Sequence, residues 1–258
     1  MKLTKSTLRS ISGLLSLCIV VAPSLTAKLL AQNIVAVTFE PPPGQDAPTG
    51  GTAGGASRPV TTACTPNLAA NKSSLTALSP GRHIGLTQRD HPIFIVYLPQ
   101  NGAKTAEFSL FDEKMNGVYQ FSVPVADQAG FISIKLPNNA PTLAKDKPYY
   151  WTFALVCNES DRTEDSVVGG WIKYSQPDAQ LSQQLTKTTL IDRVSLYAQH
   201  GFWYDALTTL VVEQKKEPNN LALAKTWAEL LQSVGLESIA TQPLSAAMLT
   251  DTVEQPSW

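Results

Sequence analysis

Short apolar segments separated by turn residues fill the middle of the chain and predict β-strands. The segments are HPIFIVYLP, TAEFSLFDE, GVYQFSVPV, GFISIKLP, KPYYWTFALVC and VVGGWIKY, all between residues 91 and 174. They are rich in β-branched and aromatic residues, and clusters such as QNGAK, KMNG and ADQAG separate them. In FISIKL (131–136) a mixed set of residues at the odd positions alternates with an apolar set at the even positions. This period of two predicts a strand with one buried face.

Six or seven such strands, with no long helix between them, favour an antiparallel arrangement. We therefore predict an immunoglobulin-like β-sandwich over residues 64–176. A helical region over residues 177–248 follows it, so the predicted fold class is α+β.

The spacing of apolar residues becomes helical after Lys187. In two runs, apolar residues are spaced three or four positions apart along the chain. The first run is Leu190, Ile191, Val194 and Tyr197, and the second is Ala206, Leu207, Leu210 and Val211. Two such faces joined at Gly201 predict an αα-hairpin, and EPNN at 217–220 ends its second helix.

A repeat of 34 residues relates Gly201 to Gly235 and Ala206 to Ala240. Together with the segment YAQHGFWYDALTTL, this spacing resembles a tetratricopeptide unit that is followed by an incomplete second unit. The residues expected to pack these helices are Tyr197, Gly201, Trp203, Ala206, Trp227, Gly235 and Ala240. His200 and Asp205 are expected to be solvated.

One face of the first helix in each unit is the predicted partner-binding surface. Its residues are Ile191, Ser195, Gln199, Lys225, Glu229 and Gln232. The face has mixed polarity and lacks the cluster of Lys, Arg and Asn that clamps a terminal carboxylate. A partner helix or an extended segment suits it better, and the alternative is that this face packs against the sandwich.

The N-terminus has the three parts of a secretory signal peptide over residues 1–31. Basic residues precede the apolar run ISGLLSLCIVVA, and small residues allow cleavage after Ala27 or Ala31. The alternative is an uncleaved anchor. Without these residues the chain has 16 bases against 21 acids. A mildly acidic exported protein without a basic face is a poor candidate for binding nucleic acid, and no second apolar run predicts a membrane span.

Residues 32–63 are rich in proline and glycine and predict a linker that acts as a spacer. Residues 249–258 are expected to form a tail. The mature chain keeps Cys64 and Cys157, and an even count in an exported protein predicts one disulfide, with two buried free thiols as the alternative. In the chain-entropy treatment, such a bridge stabilises the folded state by about 4–5 kcal/mol, because it restricts the unfolded chain.

No motif for nucleophilic or metal-assisted catalysis is found. The three histidines, His83, His91 and His200, lack the spacing of metal ligands. The acids between Asp161 and Asp165 match no calcium-binding loop. We therefore assign no catalytic residue, metal or cofactor. The alternative from another class is a hydrolase of cell-envelope glycans that uses carboxylates on the sandwich loops.

Several segments in order carry a family resemblance. LTAL at 75–78, GLT at 85–87, HPIFIVYLP, AEFSLFDE, WTFALVC, GWI, GFWYDALTTL and WAELLQSVGL resemble the cyanobacterial family known as domain of unknown function 928. The resemblance covers roughly Phe39 to Leu244. It implies export and a β-rich region before a helical tail, and it transfers no catalytic residue. The expected function is that of an exported, non-enzymatic interaction or scaffold protein in the periplasm or envelope, with a protein or envelope component as partner.

Overall fold

The computed structural model describes residues 36–44, residue 64, residues 74–242 and the backbone of residues 244–249. The predicted signal peptide, with its two candidate cleavage sites, lies outside the described residues. Most of the expected linker and all of the tail after residue 249 also lie outside them.

Nine strands form two sheets in this part of the chain. They are β1 Thr76–Ala77, β2 Gly85–Thr87, β3 Ile93–Leu98, β4 Thr105–Asp112, β5 Gly117–Pro124, β6 Gly130–Lys135, β7 Pro148–Val156, β8 Ser166–Tyr174 and β9 Leu244–Leu249. One sheet has the order β1-β3-β6-β9 and the other β2-β8-β7-β4-β5. Strands β3 to β8 are the six that the apolar pattern predicted, and the α+β class is confirmed.

Aromatic side chains pack the two sheets against each other. The ring of Phe94 on β3 lies 4.8 Å from Phe108 on β4 and 5.1 Å from Trp151 on β7. All three side chains are fully buried. Aromatic pairs at this separation add to the free energy already gained by burying their apolar area.

Strand β6 is buried on both faces, so the prediction of a single buried face was wrong. Phe131 and Ser133 are 2% and 4% exposed, as buried as Ile132 and Ile134 on the opposite face. The reason is tertiary, because the ring of Trp227 packs edge-on against Phe131 at 5.0 Å. The side chain of a helical residue therefore covers Phe131, on the face opposite Ile132 and Ile134.

Four helices lie between strands β8 and β9. They are α1 Ala179–Leu185, α2 Leu190–Gln199, α3 Trp203–Lys216 and α4 Leu221–Gln232. Asp178, Thr189 and Asn220 accept hydrogen bonds from the first turns of α1, α2 and α4, which fixes where these helices begin. Helix α3 lacks such a cap and begins instead after Gly201, whose φ of 77° reverses the chain.

The second predicted hairpin is not formed as expected. After α4 the chain makes a 3₁₀ turn at Glu237–Ile239, with Ala240 at its end, and residues 244–249 form strand β9 rather than a helix. Strand β9 pairs in parallel with β6. Proline at 243 cannot occupy a helix interior without breaking a hydrogen bond, and the edge of β6 offers the chain backbone partners instead.

The disulfide is formed. Cys64 and Cys157 are bonded, with their Cα atoms 4.8 Å apart across a sequence separation of 93 residues. The carbonyl of Cys64 also accepts the backbone N–H of Gly102 at 2.7 Å. The bridge therefore ties the chain before β1 to the end of β7.

The start of α3 is built into the interface between the sheets. The indole N–H of Trp151 donates to the Tyr204 hydroxyl at 2.7 Å, which donates to the carbonyl of Trp171 at 3.1 Å. The indole of Trp203 donates to the carbonyl of Leu78 at 2.9 Å. Buried polar groups are thus satisfied across the helix–sheet boundary, which holds the helices in a defined position.

Candidate interaction site

Helices α2 and α4 contact each other and carry the predicted partner-binding residues on their surface. Within this set Gln199, Lys225 and Gln232 are exposed, and Ile191, Ser195 and Glu229 are half-buried. Lys225 and Glu229 form an ion pair at 3.6 Å within α4. We call the surface formed by these six residues the α2–α4 face.

An extended segment of the chain itself, residues 36–42, crosses the end of this face. The backbone N–H of Val37 donates to the Glu229 carboxylate at 3.1 Å, and that of Phe39 donates to the Ser233 hydroxyl at 3.1 Å. The N–H of Glu40 donates to the carbonyl of Ala198 at 3.0 Å. Residues of both helices therefore bind the backbone of one extended segment.

Alternate side chains anchor this segment. Val37 and Phe39 are 4% and 6% exposed, whereas Thr38 and Glu40 face solvent. The Phe39 ring packs edge-on against Trp203 at 5.2 Å. A side chain at Gly201 would meet the ring of Pro42, so the glycine at this turn also makes room for the segment.

The first described residues of the expected linker are thus part of the fold, and their assignment to a spacer was wrong. The physical reason is the pattern AVTFE, in which two apolar residues alternate with polar ones and bury themselves on one side. The alternation is present in the sequence, but the prolines directly after it led to the prediction of a linker.

Asp205 is buried, which corrects the expectation that it is solvated. Its carboxylate accepts the backbone N–H of Gln88 at 2.9 Å and lies 3.7 Å from Nε of Arg89. Burial raises its pKa to about 6, and the bond from Gln88 and the charge of Arg89 offset only part of this effect. The role of Asp205 is to fasten α3 to the loop after β2. His200 is exposed, as expected.

Among the described residues, clefts lie beside the helices. One of about 510 Å³ lies between α3, α4 and the turn after α4, and Trp227 forms part of its wall. Another, of about 400 Å³, is lined by Gln88, Pro177, Ser182, Leu185, Thr186, Arg193 and Tyr197. In the second cleft the side-chain amide of Gln88 donates to the Tyr197 hydroxyl at 2.6 Å.

The remaining candidate groups form local hydrogen bonds and ion pairs. Asp161 caps the 3₁₀ turn Arg162–Glu164, and Thr163 lowers the pKa of Asp161 through a side-chain hydrogen bond. Asp165 pairs with Arg162 at 2.6 Å. Within the described residues, no three His, Cys, Asp or Glu side chains come together as a metal site.

These features define an α+β protein in which two packed sheets carry a set of helices, with an extended segment of the chain docked on the helices. The family model described as Domain of Unknown Function (DUF928) matches residues 53–244, about three quarters of the chain, and the protein belongs to this family. A search of curated proteins finds no significant match. Among the described helices, none combines the length and apolarity that a bilayer crossing requires.

Proposed function

We propose that the protein is an exported, non-enzymatic interaction or scaffold protein of a cyanobacterial periplasm or cell envelope. The observation that carries this proposal is the way the helices hold residues 36–42. Side chains of Glu229 and Ser233 accept main-chain N–H groups, a mode of recognition that depends on an extended backbone more than on its side chains. The partner is a protein segment or an envelope component that lies along the exposed remainder of the α2–α4 face.

The finer fold assignment belongs to the same proposal. The two sheets correspond to an immunoglobulin-type sandwich, with β1 and β2 as the two halves of a first strand that changes sheets. This is supported by the orders β1-β3-β6 and β2-β8-β7-β4-β5, and by the parallel pairing of β2 with β8. Loops at the ends of such a sandwich and helices packed on one face leave several surfaces for partners.

The helices correspond to tetratricopeptide-like packing in their first unit. Tyr197, Trp203 and Ala206 are buried, and Gly201 makes the turn that joins α2 to α3. Helix α4 then repeats the position of α2, and Trp227 packs it onto β6. The two helices with equivalent positions are the two that form the proposed surface.

Export is supported by the disulfide and by the charge pattern at the N-terminus. Disulfides form and persist mainly in oxidising compartments outside the cytosol. Residues 1–31 combine a basic start with an apolar run and small residues. N-terminal sequencing of the protein from a periplasmic extract tests this part, with a start at Lys28 or Gln32 as the expected result.

A pull-down from periplasmic extract tests the interaction surface. The mature protein is compared with Lys225→Glu, a change on the exposed part of the α2–α4 face, and with Lys145→Glu, a matched change in the loop before β7. We expect Lys225→Glu to lose a captured partner that Lys145→Glu retains, while both keep the melting temperature of the parent. If all three capture the same proteins equally, the face is not the binding surface.

A further inference from the structure

The cleft of about 400 Å³ contains an arginine whose buried nitrogen lacks a protein partner. Nε of Arg193 is inaccessible to solvent and forms no hydrogen bond with any described residue. A buried donor without an acceptor costs free energy, so such groups in folded proteins require a specific explanation. The volume of the cleft lies within the range of small-molecule sites.

A second donor faces the same cleft. Tyr197 lies one helical turn after Arg193 on α2, so the two side chains share one side of the helix. Its hydroxyl oxygen accepts the Gln88 amide at 2.6 Å, which leaves the hydroxyl hydrogen free to donate. Burial and the nearby charge of Asp205 raise the pKa of Tyr197, so it remains a protonated donor at neutral pH.

We propose that this cleft binds a small carboxylate that carries neighbouring hydroxyl groups, the class that includes uronic acids and 2-hydroxy acids. The guanidinium of Arg193 pairs with the carboxylate, and the Tyr197 hydroxyl donates to the same group. The hydroxyl oxygens of Ser182 and Thr186, which also line the cleft, accept from the hydroxyl groups of the ligand.

The lining of the cleft favours a carboxylate on a carbon skeleton over inorganic phosphate. The charge near the Tyr197 hydroxyl is mixed, because Asp205 raises its pKa whereas Arg193 and Arg89 lower it. Leu185 and Pro177 supply an apolar wall that suits the carbon skeleton of a sugar acid.

The test uses the full mature protein labelled with ¹⁵N and titrated with D-glucuronate. D-glucose is the matched neutral ligand, since it differs from glucuronate only at C6. We expect saturable shifts of the Arg193 Nε–H and Gln88 amide signals with glucuronate, and at least about tenfold weaker binding of glucose. An oligogalacturonide that binds more tightly than galacturonate, its own monomer, identifies a polymer as the source, and equal binding of the two identifies a free acid.

Two variants and one control make the assignment specific. Arg193→Gln should weaken glucuronate binding at least about tenfold, and Tyr197→Phe, which keeps the packed ring, should weaken it about three- to tenfold. Arg82→Gln, at an exposed position outside the cleft, should bind as the parent does. Tyr197→Phe also serves if Arg193→Gln fails to fold, because it removes a single hydroxyl group.

Three results would overturn the proposal: no saturable binding of glucuronate to the parent protein, unchanged binding by both variants, or inorganic phosphate binding as tightly as glucuronate. The cleft uses none of the six residues of the α2–α4 face, so the proposal does not rest on the proposed function. Lys225→Glu should leave glucuronate binding unchanged, which separates a failure of the cleft from a failure of the interaction surface.

Discussion

The Glu229 carboxylate accepts the backbone N–H of Val37 at 3.1 Å, joining two residues that are 192 positions apart. The contact links α4 to the beginning of the described chain. The side chain of Glu229 is 19% exposed and also pairs with Lys225. Exposed ion pairs contribute little to stability, so the bond to Val37 is the main contribution of Glu229.

Glu229→Ala should therefore lower the free energy of unfolding by about 1–3 kcal/mol, because it removes a hydrogen bond to a charged acceptor and leaves the N–H of Val37 without a partner. The measurement is urea unfolding followed by circular dichroism. Gln232→Ala, an exposed change on the same helix, should stay within about 0.5 kcal/mol of the parent. Equal effects of the two changes would mean that residues 36–42 do not dock in solution.

Phe39→Ala should destabilise the protein by about 3–5 kcal/mol, since it removes a buried ring from the surface of Trp203. Thr38→Ala changes the neighbouring residue, which points to solvent, and should have little effect. Thermal unfolding monitored by tryptophan fluorescence distinguishes them. Comparable melting temperatures for the two variants would contradict the burial of Phe39.

Asp205→Asn should change the pH dependence of stability. Because burial raises the pKa of Asp205 to about 6, the folded protein binds this proton more tightly than the unfolded chain does. Ionisation of Asp205 therefore lowers stability as the pH rises from about 4 to about 6, by roughly 2–3 kcal/mol in total.

Asparagine does not titrate, so the stability of the variant relative to the parent should increase over that pH range and stay constant above about pH 7. The measurement is urea unfolding of both proteins between pH 4 and pH 8. A difference that is independent of pH would show that Asp205 titrates at its ordinary value. Asp146→Asn, on an exposed loop residue, is the control.

Tyr204→Phe should cost about 1–3 kcal/mol although the ring is retained. The lost hydroxyl accepts from Trp151 and donates to the carbonyl of Trp171, so the buried indole N–H of Trp151 would lose its acceptor and the carbonyl of Trp171 would lose this donor. Tyr119→Phe on the edge strand β5 is the matched control and should have a small effect, because that side chain is half-buried. Chemical unfolding compares the two variants directly.

The disulfide predicts a protein without reactive thiols. Mass spectrometry after alkylation of the native exported protein should detect no modified cysteine, whereas the reduced and unfolded protein should carry two modifications at Cys64 and Cys157. Cys157→Ser should lower stability by about 2–5 kcal/mol. Two alkylated cysteines in the native protein would contradict the bridge.

The sequence by itself determined the elements that depend on local patterns. Six strands were predicted from apolar segments and the turn clusters between them. The prediction works because β-branched and aromatic residues favour the extended backbone locally, whichever strands they pair with. Helices α2, α3 and α4 followed from apolar spacing, and the cysteine pair followed from its even count. Family membership was likewise visible in the order of short segments.

Tertiary structure decided which faces are buried and which surfaces are free. Trp227 covers Phe131, so a strand with an alternating pattern is buried on both sides. Asp205 is buried against the loop after β2, and residues 36–42, which were predicted to be linker, dock across the end of the α2–α4 face. Each outcome depends on contacts between residues far apart in the chain, where the free energy of burial outweighs the local preference of the sequence.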